Sequence, residues 1–146
     1  RTGLEAEIVA GDALAFDQTG FDAILLDAPC SATGTIRRHP DLPQVRDSRE
    51  IKEIAALQAA MFDHALTLLK PNGRIVFVTC SLLPEEGEKQ IEAALERHAG
   101  LELVTPDAPW IEAEWRVPTG LRLRPDFWAE RGGMDGFFIA TLTRKA

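Results

Sequence analysis

The chain carries two cysteines, and each closes or follows a run of apolar residues. Asp27-Ala28-Pro29-Cys30 comes directly after residues 21–26, Phe-Asp-Ala-Ile-Leu-Leu, and Thr79-Cys80-Ser81 ends the run Arg-Ile-Val-Phe-Val-Thr of residues 74–79. A thiolate is a strong nucleophile. A free thiol with a pKa of about 8.5 needs either surroundings that favour the anion or a base that takes its proton. Asp27, close to Cys30 in sequence, is a carboxylate that can hold or pass a proton. Each residue also has an ordinary reading: free cysteine is among the most buried residue types and often only fills space, Asp27 can cap a loop, and Asp12 can be a turn residue before Ala13. Both cysteines at strand ends, one of them beside Asp and Pro, point to a shared site.

Such a site needs elements that bring the two segments together. Residues 21–26 and 74–79 read as strands buried on both faces, because their apolar runs are nearly continuous. Between them Ile51, Ile54, Ala55, Phe62, Ala65, Leu66 and Leu69 keep helical spacing, with Gln58 alone interrupting the stripe. Asp47 or Ser48 can cap that helix, and Pro71-Asn72-Gly73 stops it. Pro84 suits the first turn of a further helix with Glu85, Glu86 and Glu88 at its positive end. Ile91, Ala94, Leu95 and His98 form its inner face, and Gly100 ends it. Residues 7–10, 101–104 and 137–142 read as shorter strands, and Leu121–Leu123 as extended. Strands alternating with helices imply a parallel α/β sheet, and such sheets bind ligands beyond the carboxyl ends of their strands. Asp12, Asp27 to Cys30 and Thr79 to Ser81 all fall at strand ends. They are expected to face one crevice, with the two thiols meeting if their strands are neighbours about 4.8 Å apart.

The 146 residues suit a single domain, and 45% hydrophobic with 27% charged residues is ordinary for a globular protein. No apolar run approaches the roughly 20 residues that span a bilayer, so no membrane partner is expected and the cytoplasm is the expected location. Two cysteines without C-x-x-C spacing suggest neither a disulfide framework nor a zinc site. The net charge of −7 argues against strong nucleic-acid binding by the chain as a whole. Locally the balance reverses: Arg37, Arg38, Arg46, Arg49 and Lys52 face only Asp41, Asp47 and Glu50. This cluster begins within a long irregular segment, residues 28–48, of the kind that is usually functional when it occurs in a compact domain, and runs on to Lys52. It is a candidate for contact with RNA phosphates beside the crevice, or else an ordinary solvated loop. His39 can stack on a nucleotide or simply turn the chain at Pro40. Trp110, Trp115 and Trp128 can offer stacking surfaces, although packing is the commoner role.

The motifs carry a resemblance. Residues 27–41, Asp-Ala-Pro-Cys-Ser-Ala-Thr-Gly-Thr-Ile-Arg-Arg-His-Pro-Asp, look like the fourth motif of the Sun/Fmu (NOP/Sun) family of rRNA cytosine-C5 methyltransferases. Residues 79–88, Thr-Cys-Ser-Leu-Leu-Pro-Glu-Glu-Gly-Glu, resemble its sixth motif, and residues 135–140, Asp-Gly-Phe-Phe-Ile-Ala, its closing strand. Gly11-Asp12-Ala13 is similar to the third motif. The resemblance implies a Rossmann-like sheet, mostly parallel, that binds S-adenosyl-L-methionine and methylates cytosine C5 in RNA, with small-subunit rRNA as the substrate class. It implies Cys80 as the nucleophile that adds to C6, Cys30 as the group that helps release the methylated base, and Asp27 as a residue lying against both cofactor and base. Asp12, Asp27 and Pro29 are then cofactor contacts, and Arg37, Arg38 and His39 face the RNA. The family's glycine-rich first motif, its acidic second motif and its N-terminal RNA-binding domain have no counterpart in residues 1–146. The chain is therefore expected to be a catalytic-domain fragment from the third motif onward, with a sheet incomplete on its N-terminal side.

Other functions fit less of the sequence. An amino-group methyltransferase would show Asp/Asn-Pro-Pro followed by an aromatic residue where Asp27-Ala28-Pro29-Cys30 stands. A DNA cytosine-C5 enzyme would use Cys30 as its nucleophile and leave Thr79-Cys80 without a role. A non-catalytic RNA-binding or assembly module would have no need of either thiol.

Overall fold

The computed structural model describes residues 3–45 and 47–145. Six strands, β1 (Phe21–Asp27), β2 (Leu69–Thr79), β3 (Leu101–Leu103), β4 (Arg116–Val117), β5 (Gly120–Leu123) and β6 (Phe137–Arg144), form one sheet. Three helices accompany them: α1 (Leu42–Val45), α2 (Ser48–Leu68) and α3 (Glu88–Arg97). The strand order is β1-β2-β6-β5-β4, and β3 also pairs with β6.

α2 starts where Asp47 caps it. The carboxylate accepts from the free amides of Arg49 and Glu50, both at 2.8 Å, and so satisfies two donors that the first turn cannot pair. The helix then carries the chain from the end of β1 back to the start of β2, which makes the two strands parallel, with Leu26 beside Phe77 and Asp27 beside Val78. Its apolar face lies on the sheet. Phe62 meets Phe77 edge-on with ring centroids 5.9 Å apart, and Phe77 in turn meets Phe138 at 6.5 Å. Three directly paired positions, Ile75 with Leu142, Phe77 with Ala140 and Thr79 with Phe138, are all buried on this face, where Ile91 and Ala94 of α3 complete the core.

The sheet is not mostly parallel. Among the described residues only the β1–β2 pairing is parallel, whereas β2–β6, β3–β6, β5–β6 and β4–β5 are antiparallel. The helical crossovers do produce strands of one direction, since β1, β2 and β3 share an orientation. But β6 arrives from β5 through residues 124–136, a connection without an α-helix, and inserts between β2 and β3 with the opposite sense. An antiparallel neighbour needs no crossover helix, so alternation of helix and strand does not reveal it.

Nor are β1 and β2 buried on both faces. α2 and α3 cover only the side that carries Ile24, Leu26, Ile75 and Phe77. Leu25, in register with Val76 on the other side, is 70% exposed, and among the described residues β1 pairs only with β2. Residues 7–10 form no strand and are exposed. The stretch 105–133 folds as a second small core in which Ile111, Trp115 and Leu121 are buried and Trp128 packs edge-on to Trp115 at 5.0 Å. Trp110 is 68% exposed. Among the described residues no helix is long and apolar enough to cross a membrane.

Because the Asp47 cap serves two amides at the start of the longest helix, Asp47→Ala is expected to lower stability by about 1 kcal/mol. Thermal unfolding followed by circular dichroism checks this; an unchanged Tm would mean that solvent satisfies those amides equally well.

Candidate active site

The parallel register of β1 and β2 brings both following turns to the same end of the sheet. The Cys30 and Cys80 Sγ atoms lie 3.3 Å apart, each half-buried and neither in a disulfide. Burial, together with the adjacent Cys80 thiol, pushes the Cys30 pKa up to about 12, against opposing backbone hydrogen bonds at Ala32 and Cys80. Cys30 is therefore held as a thiol at neutral pH.

The turn after Cys30 is tightly specified. Ala32 sits at φ 58° and ψ 20°, a left-handed conformation that a non-glycine residue occupies at some cost, and its carbonyl accepts from the Thr35 amide at 2.9 Å and the Thr35 hydroxyl at 2.8 Å. The Gly34 amide donates to the Cys80 carbonyl at 2.9 Å, and the Gly34 carbonyl accepts from the Gly136 amide at 2.7 Å. A Cβ at Gly34 would collide with the Gly136 backbone, so glycine is required where the three segments meet. This explains why Asp135-Gly136, far away in sequence, belongs to the same site.

Sequence reasoning missed the groups beneath the cysteines. Glu86, expected at the positive end of a helix, is fully buried below the two turns, together with Ser31, Ser81 and Gln58. Pro84–Glu86 forms a separate 3-10 turn, and α3 begins only at Glu88. The Glu86 carboxylate accepts from the Ser31 amide (2.8 Å), the Ser31 hydroxyl (2.5 Å), the Ser81 hydroxyl (2.5 Å) and the Gln58 side-chain amide (3.1 Å). Gln58 also donates to the Pro29 carbonyl at 2.8 Å. The signal was there: one polar residue interrupting an apolar helical stripe is a buried group with a partner to serve. Arg122, also missed, is buried on β5; it donates to the Ser81 carbonyl and forms a two-pronged pair with Glu88 at 2.5 and 3.0 Å.

The other expected site residues are spread more widely. Asp27 is exposed at the end of β1, in register with Val78, and Pro29 is exposed beside it. Asp12 lines a separate cleft of about 440 Å³ along the open edge of β1, with Phe16, Ile24, Leu26, Met61 and His64; neither Asp27 nor Pro29 lines it. Asp12 also caps the 3-10 turn Ala13–Ala15, accepting from the Leu14 amide at 2.9 Å. Apolar walls with one carboxylate at the rim suit the adenosine part of S-adenosylmethionine, a flat ring on a hydroxyl-bearing sugar. Arg37 and Arg38 are exposed, but each is tied to the segment before β6: Arg37 donates to the Gly132 carbonyl, and Arg38 pairs with Asp135 at 2.6 Å. Arg38 also lies within Coulombic reach of Cys80. His39 is exposed, and its amide and carbonyl both belong to turns, the amide donating to Thr35 and the carbonyl accepting from Leu42. Arg46 lies outside the described residues.

A family profile described as 16S rRNA methyltransferase RsmB/F matches residues 1–143, almost the whole chain. The chain belongs to this family. Among RsmB/F relatives, ribosomal RNA small subunit methyltransferase B of Salmonella arizonae is 46% identical over 99% of this chain and 32% of its own length. That of Shewanella oneidensis is 41% identical over 99% of this chain and 33% of its own. The chain thus spans about a third of the curated relatives it matches. The solved structure of NSun6 from Pyrococcus horikoshii with SFG superposes with a TM-score of 0.76 at 28% identity, covering 96% of this chain and 35% of that one. A methyltransferase homolog protein from Pyrococcus horikoshii gives 0.65 at 34% identity, covering 86% and 40%.

The raised Cys30 pKa has a consequence for stability. The folded protein keeps this thiol protonated where the unfolded chain ionises, so the contribution is fully present below the ordinary thiol range and is lost as pH rises toward about 12. Between about pH 8 and about pH 11 the wild-type Tm is expected to fall further than that of Cys30→Ser. Parallel melting curves for the two proteins would sink this account of Cys30.

Proposed function

We infer that the protein methylates cytosine C5 in RNA, with small-subunit rRNA as its substrate, S-adenosylmethionine as methyl donor and Cys80 as the nucleophile. The observation that carries this reading is the pair of thiols 3.3 Å apart, of which one, Cys30, is kept protonated by burial. Membership of the RsmB/F family and relatives named as small-subunit rRNA methyltransferases support the substrate class.

Cytosine C5 is a poor carbon nucleophile. Addition of the Cys80 sulfur to C6 forms a C6–S bond and moves the electron pair of the C5–C6 double bond onto C5, which gains the nucleophilic character that methylation demands. Asp27, at the mouth of the site, holds a proton toward cytosine N3 and so offsets the charge that builds on the ring. S-adenosylmethionine, held by Asp12 and the apolar wall beside β1, supplies an electrophilic methyl group when bound. Release then requires loss of the C5 proton and cleavage of the C6–S bond. Cys80 enters this reaction as its thiolate, its proton given up to solvent beforehand. At release Cys30 acts as a relay: as its S–H proton passes to the departing Cys80 sulfur, the proton lost from C5 takes its place, the C5–H electron pair re-forms the C5–C6 double bond and the C6–S pair leaves with the sulfur. Both thiols end protonated, and one proton is released for each methyl group transferred.

Arg37, Arg38 and His39 stand exposed on the turn that leads away from Cys30, where incoming RNA phosphates would pass. The bonds of Arg37 to Gly132 and of Arg38 to Asp135 hold that turn in place.

Two experiments on the complete protein test these assignments. Cys80→Ala is expected to abolish methylation and leave no RNA adduct, whereas Cys30→Ala is expected to accumulate a covalent RNA complex, visible as a shifted band on a denaturing gel. The reverse pattern would make Cys30 the nucleophile; no effect from either change would remove the covalent mechanism. Arg37→Ala with Arg38→Ala is expected to weaken RNA binding and to reduce its logarithmic salt slope by about 1 for every phosphate that is no longer neutralised, at unchanged cofactor affinity. An unaltered slope returns both arginines to a purely structural part.

A further inference from the structure

All four residues that flank the two cysteines are tied to Glu86, through its carboxylate or its backbone carbonyl, or to its partner Gln58. Before Cys30, the Pro29 carbonyl accepts from Gln58 at 2.8 Å; after it, Ser31 donates to Glu86 through both its amide (2.8 Å) and its hydroxyl (2.5 Å). Before Cys80, the Thr79 hydroxyl donates to the Glu86 carbonyl oxygen at 2.9 Å; after it, the Ser81 hydroxyl donates to the Glu86 carboxylate at 2.5 Å. Gln58 closes the set with its own bond to Glu86 at 3.1 Å. Thr33 laces the hydroxyls together, lying 3.3 Å from Ser31 and 3.2 Å from Ser81 and accepting from the Leu82 amide at 2.9 Å.

The acceptor count explains why a carboxylate stands here. An ionised carboxylate presents about four lone-pair sites and no donor. In this structure Oε1 receives the Ser31 amide and Gln58, and Oε2 receives both serine hydroxyls. A neutral amide of the same size would keep one acceptor oxygen and turn an N–H₂ group toward the two hydroxyls, which must then rotate away. A fully buried acid among hydroxyls is costly unless every site is satisfied, and here every site is.

We propose that Glu86 is a positioning residue for the two-thiol reaction: its buried carboxylate holds the turns of Cys30 and Cys80 at the separation across which a proton passes. The proposal rests on the methyltransferase reading for its consequence, but not for its geometry. Glu86 touches neither substrate nor cofactor, and it acts through Ser31 and Ser81.

The test uses Glu86→Gln in the complete protein, with two readouts. The first is steady-state methylation of the RNA substrate. The expected result is a loss of about 10- to 100-fold in kcat, the scale on which misplacement of reacting groups acts, with the KM for RNA and for S-adenosylmethionine within about twofold. The second needs no RNA. Diamide withdraws two electrons and two protons from neighbouring thiols and leaves a disulfide, so its rate of closing Cys30 to Cys80, followed by loss of titratable thiol, reports their separation and alignment. Glu86→Gln is expected to slow closure about tenfold or more. Combined with Ser81→Ala it is expected to add little, because both changes break one unit. If Glu86→Gln shows no cooperative thermal transition, Ser81→Ala alone, which removes a single donor, takes its place with the same expected split. Unchanged closure, or a raised KM at unchanged kcat, overturns the proposal. A wild-type protein that closes the disulfide but transfers no methyl to cytosine C5 sinks the methyltransferase reading instead; slow closure in Glu86→Gln would then still establish the positioning.

Discussion

The parallel pairing of β1 with β2 is the constraint from which the site follows. Two parallel neighbours end at the same edge of the sheet, so the turns that leave them emerge side by side. With Asp27 beside Val78 and the Ala28 amide bonded to the Val78 carbonyl at 3.0 Å, Cys30 and Cys80 have little freedom to be anywhere but near each other. α2 imposes that pairing by carrying the chain back along the covered face, and Phe62 against Phe77 sets how the helix lies. A one-residue slip in the register would turn Ile75 and Phe77 toward solvent and separate the thiols in the same movement.

Below the cysteines the protein departs from the apolar packing it uses elsewhere. Ser31, Thr33, Gln58, Thr79, Ser81 and Glu86 are all buried within a short distance of one another. A set of this kind is stable only when each donor finds an acceptor, and it then fixes backbone positions more sharply than methyl groups can. The left-handed Ala32 and the glycine-only approach of Gly34 to Gly136 belong to the same arrangement, in which local strain is held by surrounding bonds. Reacting groups are best held by neighbours whose own rotamers are locked, and the thiols have such neighbours on both sides. The contrast with the Asp12 cleft is physical as well. That cleft runs along β1, which among the described residues pairs only with β2, and it is lined mostly by apolar side chains, with Leu25 exposed to solvent.

Much of this was legible in the residues. The alternation of apolar runs and helical stripes located β1, α2 and β6 closely, because period and capping are local properties that a few residues express, such as Asp47 at the start of α2. Strand β2 begins five residues before the run 74–79 and passes through Pro71-Asn72-Gly73, and α3 begins at Glu88 rather than at Pro84. The cysteine pair was legible too, since two strand ends joined by one helix imply parallel neighbours. Residues 105–133 were not, because their small core of Trp115, Trp128 and Leu121 is assembled from turns without a period. Glu86 was misread for a related reason. Three acids after a proline match the start of a helix, and the pattern does not say that one of them points inward.

The sequence by itself determined the main helices and longer strands, the two thiols at strand ends and the family to which the motifs belong, all of which depend on residue type and short spacing. Only the tertiary structure decided the direction of β6, the one-sided burial of β1, the tethering of Arg37 and Arg38 to the segment before β6, and the place of Glu86 under both turns. Each of these depends on which distant segment arrives at a given surface: β6 between β2 and β3, Asp135 beside Arg38, Ser31 and Ser81 around one carboxylate. Hydrogen-bond satisfaction in a buried space is a property of the assembled chain, and no window of sequence contains it.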